Sequence, residues 1–200
     1  MSQPTLSYVI RDRLYLNITD RCTLVCQFCP KTQGVNQVHD YDLSLHQRPE
    51  YDDIITAIGD PTEYEEIVFC GFGEPTLRLK LLLRLASYIK DKGGRVRLNT
   101  DGLANLVNKR DVLPEMEGLI DAVSVSMNAQ NEAIYNQHCC PALTGSYEAM
   151  LAFIQEAPRY IPDVTATAID GLAGVDIVAC EHLAQERGVK FRARHLDVVG

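Results

Sequence analysis

The stretch NITDRCTLVCQFCP, residues 17–30, decides the fold, because it places Cys22, Cys26 and Cys29 within eight positions at the end of a strand-like run. That run, RLYLNIT (13–19), is rich in leucine, tyrosine and isoleucine, as strands are. Thiolates at this spacing can bind a single metal centre. The stretch therefore predicts a strand that leads into a metal-binding loop.

Two kinds of centre fit three clustered thiols. A structural zinc site normally has four protein ligands, so it would have to recruit His39, His46 or a distant cysteine. A four-iron cluster can instead be held by three cysteines, with one iron left open to another molecule. The cysteine loop alone does not distinguish a zinc site from an iron–sulfur cluster.

Composition limits the class of protein. The 200 residues suit one domain, 1–200, and we expect a cytoplasmic protein because the N-terminus lacks a secretion signal and the most apolar run, LLLRLASYI, contains Arg84. Seven cysteines in a reducing compartment are expected to be thiols or ligands. The formal charge of −8 gives no support for a nucleic-acid-binding surface, although it does not exclude one, and no membrane partner is expected.

Short β-rich runs alternate with helical patterns along the chain. Helices are predicted at 78–92, 146–157 and 175–187, with Gly93, Pro158 and Gly188 as stop signals. Six strands are predicted at 13–19, 66–70, 95–100, 121–127, 164–169 and 189–194. The long connection 31–50 is expected to be a loop. This order predicts an α/β fold of repeated strand–helix units, and the length fits a partial barrel and an open doubly wound sheet equally.

Polar loops follow the first four predicted strands. They are the cysteine loop, GFGEPT (71–76), DG (101–102) and NAQN (128–131). Because ligands bind at the carboxyl ends of parallel strands, we expect these loops to share one site.

These residues together resemble the radical S-adenosylmethionine superfamily. The resemblance rests on C-x3-C-x2-C after the first strand, on CGFGEPT (70–76) after the second, on LNTDG (98–102) after the third and on SVSMNA (124–129) at the fourth. It implies a partial (β/α)6 TIM-like barrel that covers roughly the whole chain, 1–200. It also implies a [4Fe-4S] cluster bound by Cys22, Cys26 and Cys29. S-adenosylmethionine is expected at the remaining predicted site residues, which are Gly71, Phe72, Gly73, Glu74, Thr100, Ser126 and Asn128.

The resemblance implies an enzyme. A reduced cluster would cleave S-adenosylmethionine to a 5′-deoxyadenosyl radical, which would abstract hydrogen from a substrate that the sequence does not identify. Electrons would come from a flavodoxin-like or ferredoxin-like donor. Within the superfamily the chain most resembles a short family linked to TatD-type nucleases, so such a nuclease or a macromolecular substrate is a possible partner.

Other interpretations of the same residues remain. Gly71 and Gly73 could simply permit a tight turn, with Pro75 opening a helix and Glu74 favouring its dipole. Arg192 and Arg194 share one face of the last strand, where they could bind a carboxylate or phosphate or form ion pairs inside the barrel. The alternative functions are a non-catalytic iron–sulfur electron carrier and a zinc-stabilised binding domain. The spacing of Cys139, Cys140 and Cys180 predicts no second cluster.

Overall fold

A computed structural model describes residues 4–196 of the chain. The strands are β1 (Ser7–Ile10), β2 (Arg13–Leu16), β3 (Gln37–Val38), β4 (Tyr41–Asp42), β5 (Glu66–Phe69), β6 (Val96–Thr100), β7 (Ala122–Ser126), β8 (Asp163–Asp170) and β9 (Lys190–His195). The α-helices are α1 (Tyr51–Ile58), α2 (Leu79–Asp91), α3 (Ala104–Asn108), α4 (Glu132–Cys139), α5 (Ser146–Glu156) and α6 (Ile177–Glu186).

Seven strands form one sheet in the order β1-β2-β5-β6-β7-β8-β9. The six strands from β2 to β9 pair in parallel, and β1 adds an antiparallel edge. These six are the strands expected from the sequence, with boundaries that differ by up to three residues. The α/β class and the partial TIM-like barrel are therefore confirmed, and the carboxyl ends of the six strands meet at one edge.

The two faces of the sheet differ in chemistry because side chains alternate along each strand. The face toward the helices carries apolar residues of the core, such as Leu16, Phe69 and Val125. On the opposite face stand polar side chains, among them Arg97 and Ser124. One apolar face is enough to hold the helices against the sheet, which leaves the polar face free to form the inside of the partial barrel.

Helix α2 shows how the sequence pattern produces this packing. Leu82, Leu85, Ala86 and Ile89 recur at helical spacing and are each fully buried. The helix ends before Gly93, whose φ of 85° lies in the left-handed region and whose amide donates to the carbonyl of Lys90 at 2.9 Å. The predicted helix 78–92 is thus confirmed almost to the residue.

The connection 31–50 is more ordered than a plain loop. It starts with a short 3-10 helix, Pro30–Gln33, and continues into the two-residue strands β3 and β4, which form a small antiparallel hairpin. The sequence predicts an ordered or mobile loop here rather than a separate module, and the hairpin within it was not predicted because strands of two residues carry too little alternation to be recognised. Within residues 4–196 no helix is long and apolar enough to cross a membrane.

Candidate functional site

The three clustered cysteines line one cavity at the carboxyl edge of the sheet. The cavity has a volume of about 1180 Å³ and is bounded by the cysteine loop, by Phe72 and by residues 45–49. Cys22 is exposed, whereas Cys26 and Cys29 are half-buried, and all three are free thiols. The three cysteines that are close in the sequence therefore border the same cavity.

The cysteine loop is held from behind by the carboxyl end of α4. The amide of Val25 donates to the carbonyl of Cys139 at 3.1 Å, and the amide of Gln27 donates to the carbonyl of His138 at 2.9 Å. Leu24 and Pro141 form an isolated antiparallel bridge. These bonds satisfy carbonyls that the helix end leaves open, so the same contacts that cap α4 also fix the backbone of the loop.

The pKa values of two thiols in the loop, Cys22 and Cys26, are raised, so that both are protonated in the iron-free chain at neutral pH. Although the residue as a whole is exposed, protein atoms surround much of the Cys22 sulfur, and this desolvation raises the pKa of its thiol to about 12. The pKa of Cys26 is also raised, first by a hydrogen bond with Cys139 and then by burial. Because a cysteine binds metal as a thiolate, a metal centre here must displace these protons.

Cys139 is a fourth thiol at the site that sequence reasoning did not identify. It is fully buried at the end of α4, accepts a hydrogen bond from Nδ2 of Asn128 at 3.6 Å, and lies beside Cys26, whose pKa it raises. More than a hundred residues separate it from the cysteine loop. No local spacing pattern could have revealed this contact, since only the docking of α4 creates it.

The glycines after β5 allow this loop to pack against the chain that follows β2. A Cβ at Gly73 would lie against the carbonyl oxygen of Thr19 and 2.7 Å from that of Arg21. A Cβ at Gly71 would lie 2.8 Å from Oδ1 of Asn17. Both glycines are therefore required by close approach to the neighbouring segment, independently of any ligand.

Glu74 is buried and engaged with the protein. Its Oε1 accepts hydrogen bonds from the amide and hydroxyl of Thr76, at 2.9 and 2.7 Å, and from the hydroxyl of Thr100 at 2.8 Å. Its Oε2 accepts from the amide of Asp101 at 2.8 Å. Glu74 also caps a 3-10 helix that opens with Pro75, as the structural interpretation of this loop expected.

Burial, and then the nearby carboxylate of Asp101, raise the pKa of Glu74 above its usual range. The pKa of Asp101 is raised as well, chiefly by burial. The two carboxyl groups form a buried pair that ties the end of β5 to the end of β6, below the cysteine loop. The hydroxyl of Thr23 donates to Asp101 at 2.6 Å, so the pair also contacts the loop itself.

The remaining predicted cofactor residues lie at the same edge of the sheet. Thr100 ends β6 and bonds Glu74, whereas Ser126 ends β7 and is half-buried. Asn128 is 1% exposed, and both ends of its amide bond protein side chains, Arg194 and Cys139. Their contacts with S-adenosylmethionine stay predictions.

The donor set fits an iron–sulfur cluster with an open iron. Three soft thiols, as such a cluster needs, border one cavity, and Cys139 lies beside Cys26 within the fold. Among residues 4–196 no group of three His, Cys, Asp or Glu side chains is arranged to hold a single metal ion.

Sequence comparison relates most of the chain to one family. The profile described as the Radical SAM superfamily matches residues 16–186. The dual-specificity RNA methyltransferase RlmN of Buchnera aphidicola subsp. Schizaphis graminum is 28% identical over 122 residues, which cover 58% of this chain and 32% of that protein. The tungsten-containing aldehyde ferredoxin oxidoreductase cofactor-modifying protein of Pyrococcus furiosus is 25% identical over 159 residues, covering 76% of this chain and 41% of that protein.

Structural comparison agrees with the sequence. The crystal structure of Streptococcus suis SuiB superimposes with a TM-score of 0.64 at 11% identity, over 90% of this chain and 38% of that one. The likeness shows a shared fold. The chain spans between about a third and two-fifths of the length of the relatives it matches. None of these three relatives is described as linked to a TatD-type nuclease, so membership of that narrower family stays a prediction.

Proposed function

Since the chain belongs to the Radical SAM superfamily, we propose that it is an enzyme that binds a [4Fe-4S] cluster through Cys22, Cys26 and Cys29 and cleaves S-adenosylmethionine reductively. The observation that carries the proposal is the convergence of these three thiols on one cavity at the carboxyl edge of a parallel sheet. The cluster and S-adenosylmethionine would together supply a 5′-deoxyadenosyl radical able to abstract hydrogen from a substrate.

The chain's own residues hold and shield this site. Residues 138–142 fix the backbone of the cysteine loop, and Gly73 lets the next loop pack directly beneath it. On the outer side Arg78, itself buried, donates to the carbonyls of Ile18 and Pro49 and so joins the 45–49 segment to the wall of the cavity. The protein thus orients the ligands and limits access of water, while the cofactors supply the radical chemistry.

The substrate is proposed only as a class. Near the carboxyl edge the inner face of the sheet carries Asn99, Ser126 and Arg194, which suit a hydrophilic substrate rather than a lipid. One of the relatives is named as an RNA methyltransferase and another as a cofactor-modifying protein, so a macromolecular substrate or protein partner, including a TatD-type nuclease, is compatible with the proposal. A flavodoxin-like or ferredoxin-like protein is proposed as the electron donor.

The test is anaerobic reconstitution followed by reduction with dithionite in the presence of S-adenosylmethionine. We expect about four irons and four labile sulfides per chain and the release of 5′-deoxyadenosine. An iron–sulfur protein that leaves S-adenosylmethionine intact and shows no spectral response to it would instead be an electron carrier. A colourless protein with one zinc would support the binding-domain alternative.

A further inference from the structure

A second cavity opens on the inner face of the barrel, at the end of the strands that lies opposite the cysteine loop. Its volume is about 450 Å³, which is within the range of small-molecule sites. Several of the residues that line it begin their strands, as Arg13 does in β2, Glu66 in β5 and Ala122 in β7. None of the described residues lines both this cavity and the one at the cysteine loop, so the two are separate sites.

Positive charge is in excess around this second cavity, although the chain as a whole carries a formal charge of −8. The charged residues that line it are four arginines and three acidic residues: Arg13, Arg95, Arg97, Arg192, Glu65, Glu66 and Asp163. Asp163 is already paired with Lys190 at the rim, with 3.0 Å between its Oδ1 and the lysine Nζ. Among the described residues, the cations of the cavity and its rim therefore outnumber the carboxylates by two.

The buried carboxylate of Glu66 is the centre of the ion pairs in the cavity. Its Oε1 lies 3.3 Å from Nε of Arg95, and its Oε2 lies 3.1 Å from Nε of Arg97 and 3.6 Å from Nε of Arg13. Each guanidinium group has five N–H donors, whereas one carboxylate offers about four acceptor positions. Even with Glu65, which pairs with Arg13 at 2.8 Å, the donors outnumber the acceptors, so some of them remain for a further anion.

Arg192 brings one more cation to the cavity from the opposite wall. It lies on β9 beside Thr167 of β8, and the hydroxyl-bearing residues Ser124 and Thr165 line the cavity with it. The three acidic residues of the cavity are paired with other cations, and Arg192 itself is exposed, so its guanidinium group is available to a ligand. Guanidinium groups beside hydroxyl donors are suited to the oxygens of a phosphate.

We propose that this cavity binds a phosphate group through the guanidinium groups of Arg97 and Arg192. The hydroxyls of Ser124 and Thr165 supply further donors. The proposal goes beyond the radical chemistry proposed above and does not rest on it. A phosphate group carries up to about two negative charges near neutral pH, which matches the excess of positive charge. Its oxygens can also accept hydrogen bonds from β6 and β9 at once, although two strands separate them in the sheet.

The test is isothermal titration calorimetry of the full chain with three probes: inorganic phosphate, the phosphate monoester ribose 5-phosphate, and acetate as a simple carboxylate. No S-adenosylmethionine, iron or reductant is added, so the result is independent of the proposed function. The variant is Arg192→Met, which removes a guanidinium group outside the ion pairs of the cavity. Arg159→Met is the matched control, because the side chain of Arg159 is 70% exposed and lies outside the cavity lining.

We expect phosphate and ribose 5-phosphate to compete for one saturable site, and acetate to bind at least about tenfold more weakly than phosphate because it carries less charge. Arg192→Met should weaken phosphate binding about tenfold or more through loss of a charge-assisted hydrogen bond, and Arg159→Met should leave it unchanged.

Two further results distinguish the sources of the phosphate group, and both support the proposal. Tighter binding of ribose 5-phosphate would assign the group to a phosphorylated small molecule, whereas binding of phosphate at least as tight would assign it to free phosphate. The proposal would be overturned by the absence of saturable phosphate binding, by an equal affinity for acetate, or by phosphate binding that Arg192→Met leaves unchanged.

Discussion

The backbone amide of Glu74 donates a 2.7 Å hydrogen bond to the carbonyl of Arg21, which joins the glycine loop directly to the first residue before the cysteine triplet. Two motifs that lie about fifty residues apart in the sequence are therefore one structural unit. Changes in either loop should affect the other.

Replacement of a cluster cysteine tests the ligand assignment. Cys22→Ala, Cys26→Ala and Cys29→Ala should each lose most of the bound iron and all detectable 5′-deoxyadenosine, because each removes one of three thiols around the shared cavity. Iron and product are measured after anaerobic reconstitution, with Cys180→Ala as the control that should retain both. Activity retained by any of the three variants would contradict the assignment.

A methyl group at Gly73 tests the packing of the two loops. Gly73→Ala places a Cβ against backbone carbonyls of residues 19 and 21, which cannot move as freely as a side chain, and we expect a loss of roughly 1–3 kcal/mol in the free energy of unfolding. Gly71→Ala should be less destabilising, since its new Cβ meets the end of the Asn17 side chain and not the backbone. Denaturant titration of the iron-free proteins should rank Gly73→Ala as the less stable.

The buried carboxyl pair predicts a dependence of stability on pH. The pKa of Glu74 is raised in the folded chain, from 4.5 to about 8. Between these values the folded state retains a proton that the unfolded state releases, so stability is full below about pH 4.5 and falls as the pH rises toward 8. Glu74→Gln should reduce this fall, whereas substitution of the exposed Glu117 by Gln should not. The free energy of unfolding of each iron-free protein is measured by urea titration between pH 4.5 and 8. An equal dependence of this free energy on pH in the wild type and in Glu74→Gln would contradict the prediction.

Arg78 tests the outer wall of the cavity. Arg78→Met removes the donor to the buried carbonyls of Ile18 and Pro49, and we expect a cost of roughly 1–3 kcal/mol together with faster loss of iron in air. Lys80→Met, an exposed position on the next helix, should change neither quantity. Unfolding curves and the rate of bleaching of the cluster absorbance give the two measurements.

The parts of the structure that local patterns determine could be predicted. Apolar runs bounded by turn residues predict the six parallel strands. The spacing of the three cysteines alone predicts that they share one site. The short β1 and the weakly amphipathic α4 carry too little pattern to be recognised.

The contacts that build the site depend on the fold and could not be predicted. The reason for glycine at position 73 is a backbone carbonyl on the segment after β2, and the neighbour of Cys26 is a cysteine more than a hundred residues away. Side chains of this kind are brought together only by the docking of helices and loops.

The support of the cysteine loop by residues 138–142 has a consequence for how the protein matures. During synthesis the cysteine loop leaves the ribosome more than a hundred residues before the segment that holds this loop in shape. Contacts so distant in sequence form late in folding. We therefore expect iron delivery to follow folding of the barrel, and a nascent chain stopped before α4 to be a poor acceptor for the cluster.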